Sequence, residues 1–371
     1  MAKSHPKNER IKHRYAAYLE DAKRMSPKTT EKALASIRQL ELANSCKDFA
    51  SFHIEHARRF KRVLQEARKP KSGTPLAKAT IHSRLNEVKA FFMWLADQPG
   101  YRSRIRYSDC DYFNPSANDS RVATARRPQR VPDLDQILHV IELMPCKTTL
   151  EKRDRALLAF TLLSGARDDA VASLNIGHVD LERRVVFQDA RSVRTKNRKT
   201  ISSWFFPVGA DIEAIVAEWV LHLRDDFHFG DDDPLFPCTR VALDDNCQFA
   251  AAGVERRHWK NAGRIRKIFK QAFEAAGLPY FPPHSFRKTL ARLGERMCRT
   301  PEEFKAWSQN LGHEHVLTTF TSYGQVENHR QGEIMSSLSN RKTEKSDDAG
   351  GNPSAETIAR VVTYLSSRTG S

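Results

Sequence analysis

Residues 8–100 repeat apolar side chains at spacings of three and four, and this pattern limits what the chain can fold into. A stripe from Ile11 to Met25 falls on one face of a helix. Ser26-Pro27 begins a second helix, because serine caps a helix and proline suits its first turn. Two further stripes follow, the first of them with Asp48 as its cap. The pattern predicts four helices and no strand in this region.

Composition changes after this helical region. Residues 114–133 contain three prolines and four arginines with almost nothing to bury, which is typical of a basic linker. Residues 183–188 and 200–208 are rich in β-branched and aromatic residues, and the polar segment between them predicts a β-hairpin. We therefore expect a mainly α-helical chain with a small antiparallel β-sheet. Its predicted parts are a helical domain (1–113), a linker (114–133), a second domain (134–340) and a C-terminal tether with a short amphipathic helix (341–371).

The positive charge is concentrated near the N terminus. The net charge is +16; residues 1–130 contain 28 Lys and Arg against 13 Asp and Glu, and the remainder contains 33 against 32. Such a surplus on one domain is typical of a surface that binds nucleic acid, although a soluble, merely basic domain has the same composition. The candidates for phosphate contacts, or alternatively plain solvated faces, are Arg58, Arg59, Lys61, Arg62, Arg102, Arg104, Arg106, Arg126 and Arg127.

The same sequence argues against several protein classes. No apolar run reaches the roughly 18 residues of a membrane span, and no apolar stretch of a signal peptide follows the charged start. The six cysteines form no CxxC pair, so neither a disulfide framework nor a zinc site is predicted. We expect a cytoplasmic protein with no membrane partner.

Five places in the second domain present cationic or hydrogen-bonding side chains at the ends of predicted elements. They are Arg167 after a leucine-rich helix that breaks at Ser164-Gly165, Lys196 at the hairpin tip, the pair His284 and Arg287, His313 after Leu311-Gly312, and Tyr323. Taken singly, each has a structural explanation: a helix-end cation, a solvated lysine, a polar helix face, a buried histidine and a core aromatic.

Taken in order, these places resemble the motifs of the tyrosine site-specific recombinases, the phage integrase family. The stretches that carry the resemblance are "SGARDDAVASL", "RTKNRKT", "PHSFRKTLA", "LGHEHVLTT" and "TSYG", spread over roughly residues 155–325. The resemblance implies an N-terminal four-helix core-binding domain followed by a tyrosine-recombinase catalytic domain. It also implies a homotetramer on double-stranded DNA with specific core sites, associated with the nucleoid, and no cofactor, neither metal nor ATP.

The resemblance further implies a role for each residue. Tyr323 attacks the scissile phosphate, and Arg167 and Arg287 hold its oxygens, because guanidinium groups stay protonated and bind oxygens in pairs. The phenol needs a base, and the leaving 5′-oxygen needs a proton. The remaining roles are a base for His284, a hydrogen-bond donor to the phosphate for His313, and the acid for Lys196, with Lys199 as the competing choice.

Two positions depart from the family pattern. Many members have a glutamate three residues after the first arginine, where this chain has Ala170, preceded by Asp168 and Asp169. Which carboxylate supports the site therefore stays open. Lys288 replaces a commoner histidine outside the catalytic set.

The spacing between His313 and Tyr323 constrains the structure of the segment that joins them. It is ten residues here, and nine is commoner in the family. One inserted residue would rotate the phenol by about 100° on a continuous helix. We therefore predict a break at residues 314–316 and a new helix from residues 317–319. The Tyr323 hydroxyl must lie close to both guanidiniums.

Alternative functions remain open at this point. The same chemistry serves type IB topoisomerases and telomere resolvases, and a catalytically weakened DNA-binding accessory protein would have the same fold. The target sequence, accessory proteins and the choice among integration, excision and resolution stay open. The C-terminal helix has two interpretations, docking on a neighbouring protomer or folding back in cis.

Overall fold

The structure is a computed structural model that describes residues 4–70, 72–125, 130–243, 247–313, 331–333 and 335–336. Its contacts divide the chain into two units, Met1–Arg127 and Pro128–Ser371. Helices dominate the described residues, with two small antiparallel sheets in the second unit. The predicted fold class, mainly α with a small antiparallel sheet, is confirmed. Within these residues no helix is long and apolar enough to cross a membrane.

The four predicted helices of the first unit are present. They are α1 (Pro6–Ala17, continued by a π-helical turn over Tyr18–Ala22), α2 (Pro27–Ala43), α3 (Ile54–Glu66) and α4 (Lys78–Leu95). Ser26 caps α2 as predicted, since its side chain accepts a hydrogen bond from the Thr29 amide. The predicted cap of the third helix is wrong. Asp48 instead caps a 3-10 turn, Phe49–Ser51, which places Phe49 in the core, and α3 begins after His53.

Aromatic side chains fill the core of the first unit. The ring centroids of Phe52 and Phe92 lie 4.3 Å apart, and those of Phe92 and Phe113 lie 5.3 Å apart. Such offset contacts stabilise a core beyond the area that they bury. Phe113 ends a 3-10 segment, Tyr107–Phe113, that packs on α3 and α4.

The first half of the predicted linker contains a helix, which the sequence reading did not anticipate. Helix α5 (Ala117–Thr124) begins after Ser116, whose hydroxyl accepts a hydrogen bond from the Asp119 amide. None of its residues is buried, in agreement with the low apolar content. Lys78 pairs with Asp119 at 2.7 Å and connects α5 to α4.

Helices of the second unit surround a buried central helix. They are α6 (Leu134–Leu143), α7 (Thr149–Ser164), α8 (Asp168–Val171), α9 (Ala210–Asp225), α10 (Gly263–Ala275), α11 (His284–Met297) and α12 (Pro301–Asn310). Residues 156–163 of α7 are all buried, and a helix that is apolar on every face is stable only in a core. Helices α6, α9, α10 and α11 pack against it.

A three-stranded antiparallel sheet contains the predicted hairpin. Its order is β1 (Val179–Asp180), β2 (Val185–Gln188) and β3 (Ile201–Trp204), with Val186 opposite Ser203. A second hairpin, β4 (Cys238–Leu243) with β5 (Phe249–Glu255), was not predicted. Buried and exposed residues do not alternate along its strands, so the pattern typical of a strand is missing from the sequence. Phe249, for example, is 84% exposed.

Candidate active site

The end of α7 presents Arg167, as the sequence predicts. Gly165 ends the helix with φ of +59°, and a Cβ there would lie 3.0 Å from the Phe206 ring and 3.2 Å from Leu290. The backbone conformation therefore favours glycine, and any Cβ there would also push these side chains aside. Arg167 precedes α8 and is half-buried, and burial lowers the pKa of its guanidinium. Among the described residues it has no hydrogen bond or ion pair.

Arg287 lies in the first turn of α11 and is buried, with 5% exposure. Its Nη1 donates to the Gly165 carbonyl, and its Nη2 donates to the Leu311 carbonyl. These two acceptors are far apart in the sequence and fix the plane of the guanidinium. A buried cation is tolerated when such polar partners replace water. Arg287 therefore connects the turn of Arg167 to the segment that carries His313.

His313 follows α12 and lies against Arg287. Gly312 has φ of +67° and turns the chain after Leu311, and the His313 Nε2 atom lies 3.3 Å from Arg287 Nη2. Burial, followed by the charges of Arg287 and Arg167, lowers the pKa of His313 to about 4. The ring is therefore neutral at neutral pH. Because a guanidinium has no acceptor, Nε2 accepts this contact.

His284 is the first residue of α11 and belongs to the same cluster. Its residue surface is exposed, yet desolvation of the imidazole is the largest cause that lowers its pKa, followed by the charges of Arg287 and Lys288. The charge of Arg167 also lowers the pKa of His284, and the charge of Asp168 raises it. Arg167, His284, Arg287 and His313 thus lie close enough to affect one another electrostatically. We call these four residues the cationic cluster, after the two guanidinium cations that it contains.

The carboxylates beside Arg167 bind other arginines. Ala170 is buried at 1% exposure. Asp168 pairs with Arg266 at 2.8 Å, and Asp169 pairs with Arg194 at 3.2 Å. Both ion pairs connect α8 to neighbouring segments. Asp168 also acts on His284 through its charge, which raises the pKa of that histidine.

Lys196 lies in the connection between β2 and β3, within a short 3-10 turn, Lys196–Arg198. It is exposed, and Lys199 is half-buried. In the described part of the chain, no hydrogen bond or ion pair joins Lys196 to the cationic cluster. The structure thus brings four of the six predicted catalytic residues together and leaves Lys196 on a neighbouring loop.

Tyr323 lies outside the described residues. The same holds for the predicted break at 314–316, the helix predicted from 317–319 and the predicted C-terminal helix. The role of Tyr323 and its distance from the two arginines stay predictions.

The predicted phosphate contacts of the first unit are mostly exposed. Arg59, Arg62 and Arg104 are exposed and have no side-chain hydrogen bond or ion pair among the described residues. Other members have structural contacts: Arg58 with Glu55 and over the Tyr112 ring, Lys61 with the Asn114 carbonyl, and Arg102 with the Asp97 carbonyl. Arg106 is exposed too. Arg126 and Arg127 lie outside the described residues.

Sequence reasoning missed Asn310, the last residue of α12. Its amide pairs with the backbone of Trp204 in β3. No local pattern signals this contact, because the partners are 106 residues apart.

Comparisons with known proteins agree with this fold. The model of the phage integrase family matches residues 131–330, more than half of the chain. Tyrosine recombinase XerC of Escherichia coli O157:H7 is 24% identical over 310 residues, which cover 82% of this chain and 88% of that protein.

Two solved structures share the fold. A lambda integrase dimer bound to a COC′ core site has a TM-score of 0.59 at 12% identity, and the match covers 86% of this chain and 96% of that one. The Tn1549 transposon integrase in complex with transposon right end DNA has a TM-score of 0.55 at 17% identity, covering 89% and 99%. The family match, with the order and clustering of the site residues, makes this chain a member of the phage integrase family of tyrosine site-specific recombinases.

Proposed function

We propose that this recombinase cleaves and rejoins DNA through a covalent bond between Tyr323 and a 3′-phosphate. The tyrosine oxygen forms a bond to phosphorus, the bond from phosphorus to the 5′-oxygen breaks, and that oxygen takes up a proton. The 5′-hydroxyl of a partner strand then reverses the step. One phosphoester replaces another, so the exchange needs no ATP.

The cationic cluster is the observation that carries this proposal. The phosphoryl transition state spreads negative charge over its non-bridging oxygens, and preorganised guanidiniums stabilise that charge most where water is excluded. Arg287 is fixed by two carbonyls, and the half-buried Arg167 has no hydrogen bond or ion pair among the described residues. These two charges meet the electrostatic need, and the scheme therefore uses no metal.

Two neutral histidines complement the arginines. A neutral imidazole can accept the phenol proton, which is the role that we propose for His284. His313 is a hydrogen-bond donor to the phosphate. A phosphate oxygen between it and Arg287 would favour the protonated ring and replace the present contact. Lys196 protonates the leaving 5′-oxygen, and Lys199 is the competing acid.

We also propose that the protein binds duplex DNA at specific core sites, as lambda integrase does in its solved complex. Two duplexes cut on both strands contain four reacting phosphates. A homotetramer with one active site for each phosphate meets that number, and we expect it to form on nucleoid DNA in the cytoplasm.

The proposed chemistry is tested by covalent trapping. Supercoiled plasmids that carry fragments of the source genome are incubated with the protein, and the mixture is then denatured. The DNA that remains covalently attached to the protein is sequenced to find the cleavage site. A nicked duplex of the recovered site is then incubated with the wild-type protein and with the variants Tyr323→Phe and Tyr280→Phe. Tyr280 serves as the control because it is an exposed tyrosine near Asp168. Wild type and Tyr280→Phe should form the adduct. An adduct with Tyr323→Phe would contradict the assignment.

The second candidate is a DNA-binding accessory protein with a weakened site, favoured by the buried Ala170 in place of a carboxylate. It predicts site-specific binding without any adduct in the same experiment.

A further inference from the structure

The amide of Asn310 pairs with the outer edge of β3. The Trp204 amide donates to Asn310 Oδ1 at 2.6 Å, and Asn310 Nδ2 donates to the Trp204 carbonyl at 2.9 Å. The Ser203 hydroxyl also donates to the Asn310 carbonyl at 3.2 Å. Among the described strands β3 pairs with β2 alone, so its other edge has unused backbone groups. One short amide, with a donor and an acceptor, takes the place of a neighbouring strand.

The next three residues contact both β3 and α11. A Cβ on Gly312 would lie 2.9 Å from Ile201 Cδ1 in β3, so this segment packs closely against the strand. Arg287 of α11 also donates to the Leu311 carbonyl and contacts His313. Residues 310–313 therefore link β3 to α11, and β3 begins five residues after Lys196.

We infer that Asn310 is a positioning residue, which fixes His313 against Arg287 and couples that histidine to the hairpin that carries Lys196. Its effect on DNA cleavage rests on the proposed function. Its effect on the geometry of His313 does not, because the contacts exist in the protein without DNA.

The alternative is that Asn310 merely stabilises α12. The chain offers a matched control in Gln309, the exposed amide residue next to it. Gln309→Ala shortens a side chain on the same turn without removing a contact to β3. Any effect specific to Asn310 must come from its pairing with Trp204.

The first test titrates the His313 ring by NMR in the DNA-free protein. We expect Asn310→Ala to raise the pKa of His313 from about 4 toward its usual value of 6.5, since a loosened ring gains water and moves away from Arg287. Gln309→Ala should leave it unchanged. If the alanine variant fails to fold, Asn310→Leu is titrated instead, because leucine keeps the side-chain volume but cannot pair with Trp204. An unchanged titration in both Asn310 variants would overturn the inference.

The second test measures single-turnover cleavage of the trapped site. Asn310→Ala should slow cleavage about 10- to 100-fold, the scale expected of a misplaced group, with DNA affinity unchanged. In a His313→Gln background the same substitution should have almost no further effect. An equal loss in both backgrounds would mean that Asn310 does not act through His313. If wild type forms no adduct, the proposed function fails, while the titration still decides the role of Asn310.

Discussion

The two units of the chain carry positive charge in opposite ways. The first unit, residues 1–127, holds 27 Lys and Arg against 13 Asp and Glu, and arginines such as Arg59 and Arg62 are exposed. The second unit is nearly neutral, but Arg287 is buried and Arg167 half-buried beside two histidines. Many hydrated cations on a surface are suited to binding a polyanion such as DNA. A few desolvated cations of fixed position suit the stabilisation of a transition state.

Lys196 is the strongest challenge to this division, because it is an exposed cation with a proposed chemical role. We expect Lys196→Ala to slow cleavage about 10²- to 10⁴-fold. The loss should disappear on a duplex with a bridging 5′-sulfur, since a thiolate leaves without a proton. Lys199→Ala provides the matched control. Rescue of Lys199→Ala instead would assign the acid to that residue.

The two arginines of the cluster should separate catalysis from stability. Arg287→Met and Arg167→Met should each slow cleavage about 10²- to 10³-fold. Only Arg287→Met leaves the Gly165 and Leu311 carbonyls without its donors, at a cost of about 1–3 kcal/mol for each buried group. Urea unfolding of both variants measures the difference. Equal stabilities would contradict the structural role of Arg287.

The exposed cations of the first unit should control the salt dependence of DNA binding. Arg59→Gln with Arg62→Gln should reduce the slope of log K against log salt by about 2, roughly 0.9 for each phosphate contact. The control pair is Arg183→Gln with Arg184→Gln, whose charges are already paired with Asp180 and Glu213. A slope that changes equally in both pairs would remove the distinction between the units.

The smallest expected effect is the pH dependence of stability from His313. Its pKa is about 4 in the folded protein, against a usual value of 6.5. Between these values the unfolded state binds more protons, so stability is full above pH 6.5 and decreases as the pH falls toward 4. His313→Gln should flatten this dependence, and His139→Gln, an exposed histidine of α6, should not. An unchanged profile in His313→Gln would show that its ring is not desolvated.

Local sequence patterns predicted the elements that have a buried stripe. The helices of the first unit followed from their periodicity, and the β2–β3 hairpin followed from its β-branched residues. The β4–β5 hairpin escaped prediction because alanines 250–252 carry no strand signal and its strands are largely exposed. Helix α5 depends on Ser116 and on the pair Lys78–Asp119, which sequence spacing does not show.

The site shows the same limit. Motif order predicted that Arg167, His284, Arg287 and His313 belong to one site, and these four lie close together in the structure. The contacts that fix them depend on residues far apart in the chain. Arg287 reaches Gly165 over 122 residues, and Asn310 reaches Trp204 over 106. Such partners follow from packing in three dimensions and have no signature in a short stretch of sequence.

We propose that the cationic cluster serves a tyrosine nucleophile in the second unit. Peptide mapping of the DNA adduct by mass spectrometry, after digestion of both the protein and the DNA, identifies that nucleophile. We expect a nucleotide attached through a 3′-phosphate to Tyr323, together with a free 5′-hydroxyl on the released strand. A nucleotide attached to any other residue, or a phosphate on the 5′ end, would contradict it.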